Sequence, residues 1–180
     1  MKTLAAVLLA AAVSAPAAAA PLKAGDKAPD FTATLTDGSA FTLSKSLDKA
    51  PIVLYFYPKD FTPGCTKEAC ALRDAFPRFQ DYKAFILGVS YDSVKKHQEF
   101  TAKHKLPFPL ASDSDKKVAK AFGVDGLLFA QRATFIIGKD GVILWSNPKV
   151  DPSTHSEELE AALAKFAPKP AEAAKAPAKP

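Results

Sequence analysis

Cys65 and Cys70 lie five residues apart in the stretch Tyr55 to Arg73, YFYPKDFTPGCTKEACALR, and are the only cysteines of the chain. A cysteine acts as a nucleophile, redox centre or metal ligand in its thiolate form, so its surroundings decide its chemistry. The apolar run from Pro51 to Tyr57 predicts a strand buried on both faces, ended by Pro58. After Lys59-Asp60-Phe61, the pair Thr62-Pro63 predicts a helix start, with threonine as N-cap and proline at the first helical position. Cys65 then falls in the first turn, among unpaired N–H groups and a partial positive charge. Sites of this kind lower a cysteine pKa from a free value of about 8.5. Gly64, with no side chain, leaves the backbone before the sulfur open to a small substrate.

Ala69, Leu72, Phe76 and Phe79 follow Cys65 at helical spacing, which places it at the edge of a core. Cys70 is about 140° around the same helix and roughly 7.5 Å along it. The two Cα atoms are then roughly 8 to 9 Å apart, beyond the disulfide limit of about 7 Å. The spacing disfavours a standing structural disulfide, and any use of the pair predicts unwinding of the first helical turns.

The stretch resembles the active site of peroxiredoxins, whose pattern Pro-x-x-x-Thr/Ser-x-x-Cys is met by Pro58, Thr62 and Cys65. A second cysteine five residues on resembles the Q-type, or bacterioferritin-comigratory-protein, subfamily. The likeness continues through ILGVSYDSVKKHQEF, KHKLPFPLASD, KVAKAFGV and RATFIIGKDGVI, covering about Leu22 to Phe166. It implies a thioredoxin-like α/β fold and an antioxidant thiol peroxidase that needs no cofactor or metal. Cys65 would be the peroxidatic cysteine, passing through a sulfenic acid, and Cys70 the resolving cysteine, forming an intramolecular disulfide that a thioredoxin-like donor reduces. Thr62 would bind the peroxide as well as cap the helix, Pro58 would shield the sulfur, and Arg132 would hold the thiolate. Residues alone would read Arg132 as a solvated strand end. Glu68 either helps position the arginine, as in related proteins, or is a solvated helix residue. Phe61 stands where the family often has a small polar residue.

The elements expected around this centre begin with a hairpin, Phe31 to Thr36 and Ser39 to Leu43, with a two-residue turn at Asp37-Gly38. Pro77 is expected to break or kink the cysteine helix. Ala84 to Tyr91 is a second buried strand, making a parallel βαβ unit. An amphipathic helix over Ser93 to Lys105 carries His97 and His104, both expected to be solvated. An extended piece at Leu110-Ala111 and a helix near Lys116 to Phe122 lead to a second hairpin, Ala133 to Ile137 and Val142 to Trp145. Asp151-Pro152 predicts the start of a closing helix, and His155 carries no assigned chemistry. The sum is a mixed central sheet flanked by helices on both faces.

The ends lie outside this domain, expected over 21–168. Residues 1–20 have the layout of a cleaved export signal: Lys2, an apolar run from Leu4 to Val13 too short to span a bilayer, and small residues to Ala20. Cleavage is expected after one of Ala17 to Ala20, with the bond before Pro21 the poorest site, and an uncleaved anchor is the alternative. Export implies the periplasm, with no stable membrane insertion and a periplasmic thioredoxin-like relay as reductant. Residues 169–180 are a Pro/Ala/Lys tail unable to bury surface. Removing Lys2 (+1) and this tail (+2) lowers the formal charge from +5 to +2, which is no nucleic-acid footprint. A monomer is the expected state. Two other functions compete. A general thiol-disulfide oxidoreductase normally separates its cysteines by two residues, not four. A copper carrier needs both thiolates facing one metal.

Overall fold

A computed structural model describes residues 20–167. The expected tail, and the expected signal except Ala20, lie outside them. Seven strands form one mixed sheet: β1 (Thr32–Leu35), β2 (Ala40–Thr42), β3 (Ile52–Phe56), β4 (Phe85–Ser90), β5 (Leu110–Ser112), β6 (Ala133–Ile137) and β7 (Ile143–Asn147). Their order is β2-β1-β5-β4-β3-β6-β7. The helices are α1 (Pro63–Gln80), α2 (Val94–His104), α3 (Lys117–Ala121) and α4 (His155–Phe166).

β3 is the frame for the site. All five of its residues are buried, and it pairs parallel to β4 on one side and antiparallel to β6 on the other. Ile52, Leu54 and Phe56 enter one core with Phe31, Phe122 and Phe135. Val53 and Tyr55 enter the other with Cys65, Leu72, Phe79, Phe100 and Leu159. Alternation along one strand thus builds a core on each face. α1, α2 and α4 cover the cysteine face, while Val118 and Ala119 of α3 pack on the opposite one.

Several local expectations differ from the structure. The first hairpin turns through three residues, Thr36-Asp37-Gly38: Gly38 N donates to Leu35 O, and Leu35 N donates to Ser39 O. Gly38 has φ +83°, the left-handed residue that closes a three-residue loop. Pro77 does not end α1, which continues to Gln80. The proline removes one helical N–H, but Ala75 and Phe79 keep their buried positions on either side of it. α4 begins at His155 with Thr154 as its N-cap residue. Asp151 instead closes a preceding turn, its Oδ1 accepting the Ser153 amide at 2.8 Å.

Candidate active site

Cys65 lies in the first turn of α1, with Thr62 extended at the N-cap (φ −79°, ψ 148°) and Pro63 opening the helix. The first helical bond runs from Thr66 N to Thr62 O at 2.9 Å. Thr62 does not cap through its side chain; its hydroxyl donates to Lys59 O at 2.9 Å. That bond ties the helix start to the connection behind it and leaves the hydroxyl oxygen lone pairs available. The Cys65 side chain points inward and is 2% exposed.

Arg132 comes from the residue before β6, the strand beside β3. Its Nη2 donates to Cys65 Sγ at 3.3 Å, and its Nη1 donates to Glu68 Oε2. A thiolate accepts such a bond better than a thiol does. Gly64 leaves room beside it: a Cβ there would stand 3.6 Å from Arg132 Nη2. Pro58 borders an open cleft of about 170 Å³ with Lys59, Tyr91, Asp92, Leu128 and Phe129.

Glu68 is buried and not solvated. Its Oε1 lies 2.9 Å from His155 Nδ1 at the start of α4. This contact has ion-pair distance without hydrogen-bond direction, and neither atom has a hydrogen-bond partner. His155 Nε2 is 2.9 Å from the Thr134 hydroxyl on β6. A chain of polar groups therefore runs from Cys65 through Arg132 and Glu68 to His155 and Thr134, crossing α1, β6 and α4. Tyr55 borders it with its hydroxyl buried and unpaired. Burial raises that phenol well above its ordinary pKa, with Glu68, Asp60 and Cys65 adding and Arg132 opposing, so it stays neutral.

His97 is the clear correction: it is wholly buried, not solvated. Its Nδ1 lies 2.7 Å from Asp60 Oδ2, while the Tyr57 hydroxyl donates to Asp60 Oδ1 at 2.7 Å. Asp60 N in turn donates to Asp92 Oδ2 at 2.8 Å. Burial is also the main cause raising the Tyr57 phenol, with Tyr55 and Asp60 adding. This network anchors the connection from Pro58 to Thr62 from below. Above it, Phe61 has a left-handed backbone (φ +63°) and packs edge-on against Phe100, ring centroids 5.1 Å apart. Small polar residues tolerate that backbone more easily than phenylalanine does, so the ring contact offsets local strain.

Cys70, half-buried, faces α2 instead. Its Sγ is 3.8 Å from His104 Nδ1, so His104 also departs from the solvated expectation. Both thiols are free. Among the described residues, no three His, Cys, Asp or Glu side chains converge as a metal site, and no helix is long and apolar enough to cross a membrane.

The sheet order and the cysteine at a helix start place the chain in the thioredoxin-like class. Residues 24–146 match the AhpC/TSA family, and the chain belongs to that family, among its Q-type peroxiredoxins. Peroxiredoxin Q, chloroplastic, of Oryza sativa subsp. japonica is 44% identical over 138 residues, which are 74% of this chain and 63% of the rice protein. The match thus spans less than two thirds of that relative. The crystal structure of peroxidoxin BcpB from Mycobacterium tuberculosis superposes with a TM-score of 0.76 at 36% identity, covering 81% of this chain and 98% of that one. The Xanthomonas campestris bacterioferritin comigratory protein, studied for alkyl peroxide reduction, gives 0.72 at 36% identity, covering 76% and 92%.

Proposed function

We propose that the chain is a thiol peroxidase acting in antioxidant defence, reducing hydrogen peroxide and organic hydroperoxides. The observation that carries this reading is the Arg132 guanidinium at 3.3 Å from a buried Cys65 sulfur in the first turn of a helix. The Cys65 thiolate attacks one peroxide oxygen, the O–O bond breaks, and the other oxygen leaves as hydroxide or alkoxide and gains a proton. A sulfenic acid remains. Arg132 supplies N–H groups to the sulfur and to the oxygens carrying developing charge. Thr62 orients the peroxide, and Pro58 limits water at the sulfur.

Cys70 then attacks the Cys65 sulfur, water is lost, and a Cys65–Cys70 disulfide closes after the first turns of α1 unwind. One chain completes these steps. A thioredoxin-like protein opens the disulfide by thiol exchange. Residues 1–20 support export, so the proposed compartment is the periplasm and the donor a periplasmic relay.

The test is the intact mass of the reduced protein after one equivalent of hydrogen peroxide. The wild type should lose two hydrogens, Cys70→Ser should gain one oxygen, and Cys65→Ser should show no rapid reaction. Slow reaction of the wild type, or like behaviour of both single variants, would overturn the reading.

A further inference from the structure

Cys70 stands in a second polar cluster that the peroxide step does not use. His104 Nδ1 approaches its sulfur at 3.8 Å from the last turn of α2. Arg73, one turn beyond Cys70 on α1, donates through Nη1 to the His104 carbonyl at 2.9 Å and through Nε to Asp74 at 2.8 Å. The imidazole is packed edge-on against Phe100, with centroids 4.8 Å apart, and Phe61 borders it at 6.3 Å. Lys103 lies over the outer Phe61 ring. The charged groups facing the imidazole are therefore Arg73 from α1 and Lys103 from its own helix, with Asp74 engaged by Arg73. Partial burial, then Lys103 and Arg73, lower the His104 pKa below its ordinary value, so the ring stays neutral and basic at neutral pH.

We propose that His104 is a catalytic base for disulfide closure, taking the Cys70 thiol proton, and that Arg73 is a positioning residue that holds it there. This inference rests on the two-cysteine reading above. In the step, the S–H bond of Cys70 breaks and its proton moves to Nδ1. The Cys70 thiolate attacks the Cys65 sulfenic sulfur, the S–S bond forms and the S–O bond breaks. Hydroxide leaves and takes a proton from the imidazolium, giving water and restoring the neutral ring. No outside reductant or oxidant enters. The Arg73 bond to α2 keeps the Cys70 turn in place, so the Cys65 turn is the part that moves.

The experiment mixes the reduced full-length protein rapidly with one equivalent of hydrogen peroxide and follows sulfenic acid and disulfide separately by quenched intact mass. In His104→Gln, closure should slow at least about tenfold, with the loss falling on closure and not on oxidation. The wild-type closure rate should fall as pH drops through the His104 titration, and the variant should lose that limb of the profile. Added imidazole should restore part of the closure rate, which a merely structural role would not allow. Arg73→Met should show a smaller loss in closure and keep the pH-dependent limb, moved to higher pH because the charge of Arg73 no longer lowers the His104 pKa. Iodoacetamide labelling of Cys70 in a Cys65→Ser background gives a readout independent of peroxide chemistry, and adding His104→Gln should slow it at neutral pH. Unchanged closure and unchanged labelling in His104→Gln would overturn the inference while the peroxidase reading stands. A wild type that forms neither sulfenic acid nor disulfide, with no added oxygen in Cys70→Ser, would instead overturn the peroxidase reading, with the labelling result still deciding the role of His104.

Discussion

Two cysteines on one helix, five residues apart, have acquired opposite surroundings. Cys65 is buried, in the first turn, with a guanidinium at its sulfur backed by Glu68 and His155. Cys70 is half-buried, past the first turn, with an imidazole near its sulfur. The helix N-terminus supplies the same kind of field to any first-turn sulfur, and that field fades within about one turn. What separates the two sites is what each helix face meets: β6 and α4 on the Cys65 side, the end of α2 on the Cys70 side. Partner elements distant in sequence thus convert one residue type into two proposed chemical roles.

The comparison breaks most severely at Arg132. Arg132→Met should lower the rate of Cys65 oxidation by about 10²- to 10³-fold, the size expected for losing a donor aimed at developing charge. A peroxide titration followed by quenched mass checks it. Arg132→Lys should recover little, because a point charge cannot bridge sulfur and carboxylate as the fork does.

Glu68→Ala should act next. It leaves Arg132 and His155 facing each other without the carboxylate, and removing one partner of a buried ion pair costs about 3 to 5 kcal/mol. Urea unfolding should show that loss, together with slower oxidation because the guanidinium is no longer held. Equal stability in the variant would mean that Glu68 does not carry the arginine.

Asp60→Ala sharpens the comparison from beneath, since it strips partners from Tyr57 and His97 without touching either sulfur. The Tyr57 hydroxyl and His97 Nδ1 keep each other at 3.3 Å, so the loss should be about 1 to 3 kcal/mol for the pair together, which urea unfolding measures. Oxidation should slow less than in Glu68→Ala, because the network supports the backbone before Cys65 and not its Arg132 contact.

The smallest effect concerns pH. His104 is less readily protonated in the folded state than in the unfolded chain. The stability associated with it is complete above the ordinary histidine value of about 6.5 and declines as pH falls through it. Unfolding midpoints at about pH 5 and about pH 7.5 should therefore differ less in His104→Gln than in the wild type.

Much of this site was legible in the sequence because its signals are local. The apolar run to Tyr57 and Thr62-Pro63 located β3, the start of α1 and the first-turn position of Cys65. The residues that define the surroundings were harder to read because their partners are remote. Glu68 sits on the same helical stripe as Cys65, Ala69 and Leu72. A carboxylate on an apolar stripe signals a buried cation, but spacing does not name Arg132, 64 residues away. His97 gave a similar sign, three residues before buried Phe100. Its lysine-rich neighbours suggested a wet face, yet Asp60, 37 residues away, meets it inside. The Thr62 hydroxyl does not cap the helix because a nearby carbonyl, Lys59 O, takes its hydrogen bond.

The central claim is that these surroundings, and not the shared helix, set the two cysteines apart. The most direct measurement compares second-order rate constants with hydrogen peroxide for Cys70→Ser, which retains only Cys65, and Cys65→Ser, which retains only Cys70. The account predicts that Cys65 reacts faster by at least about a thousandfold. Rate constants within a few-fold of each other would contradict it.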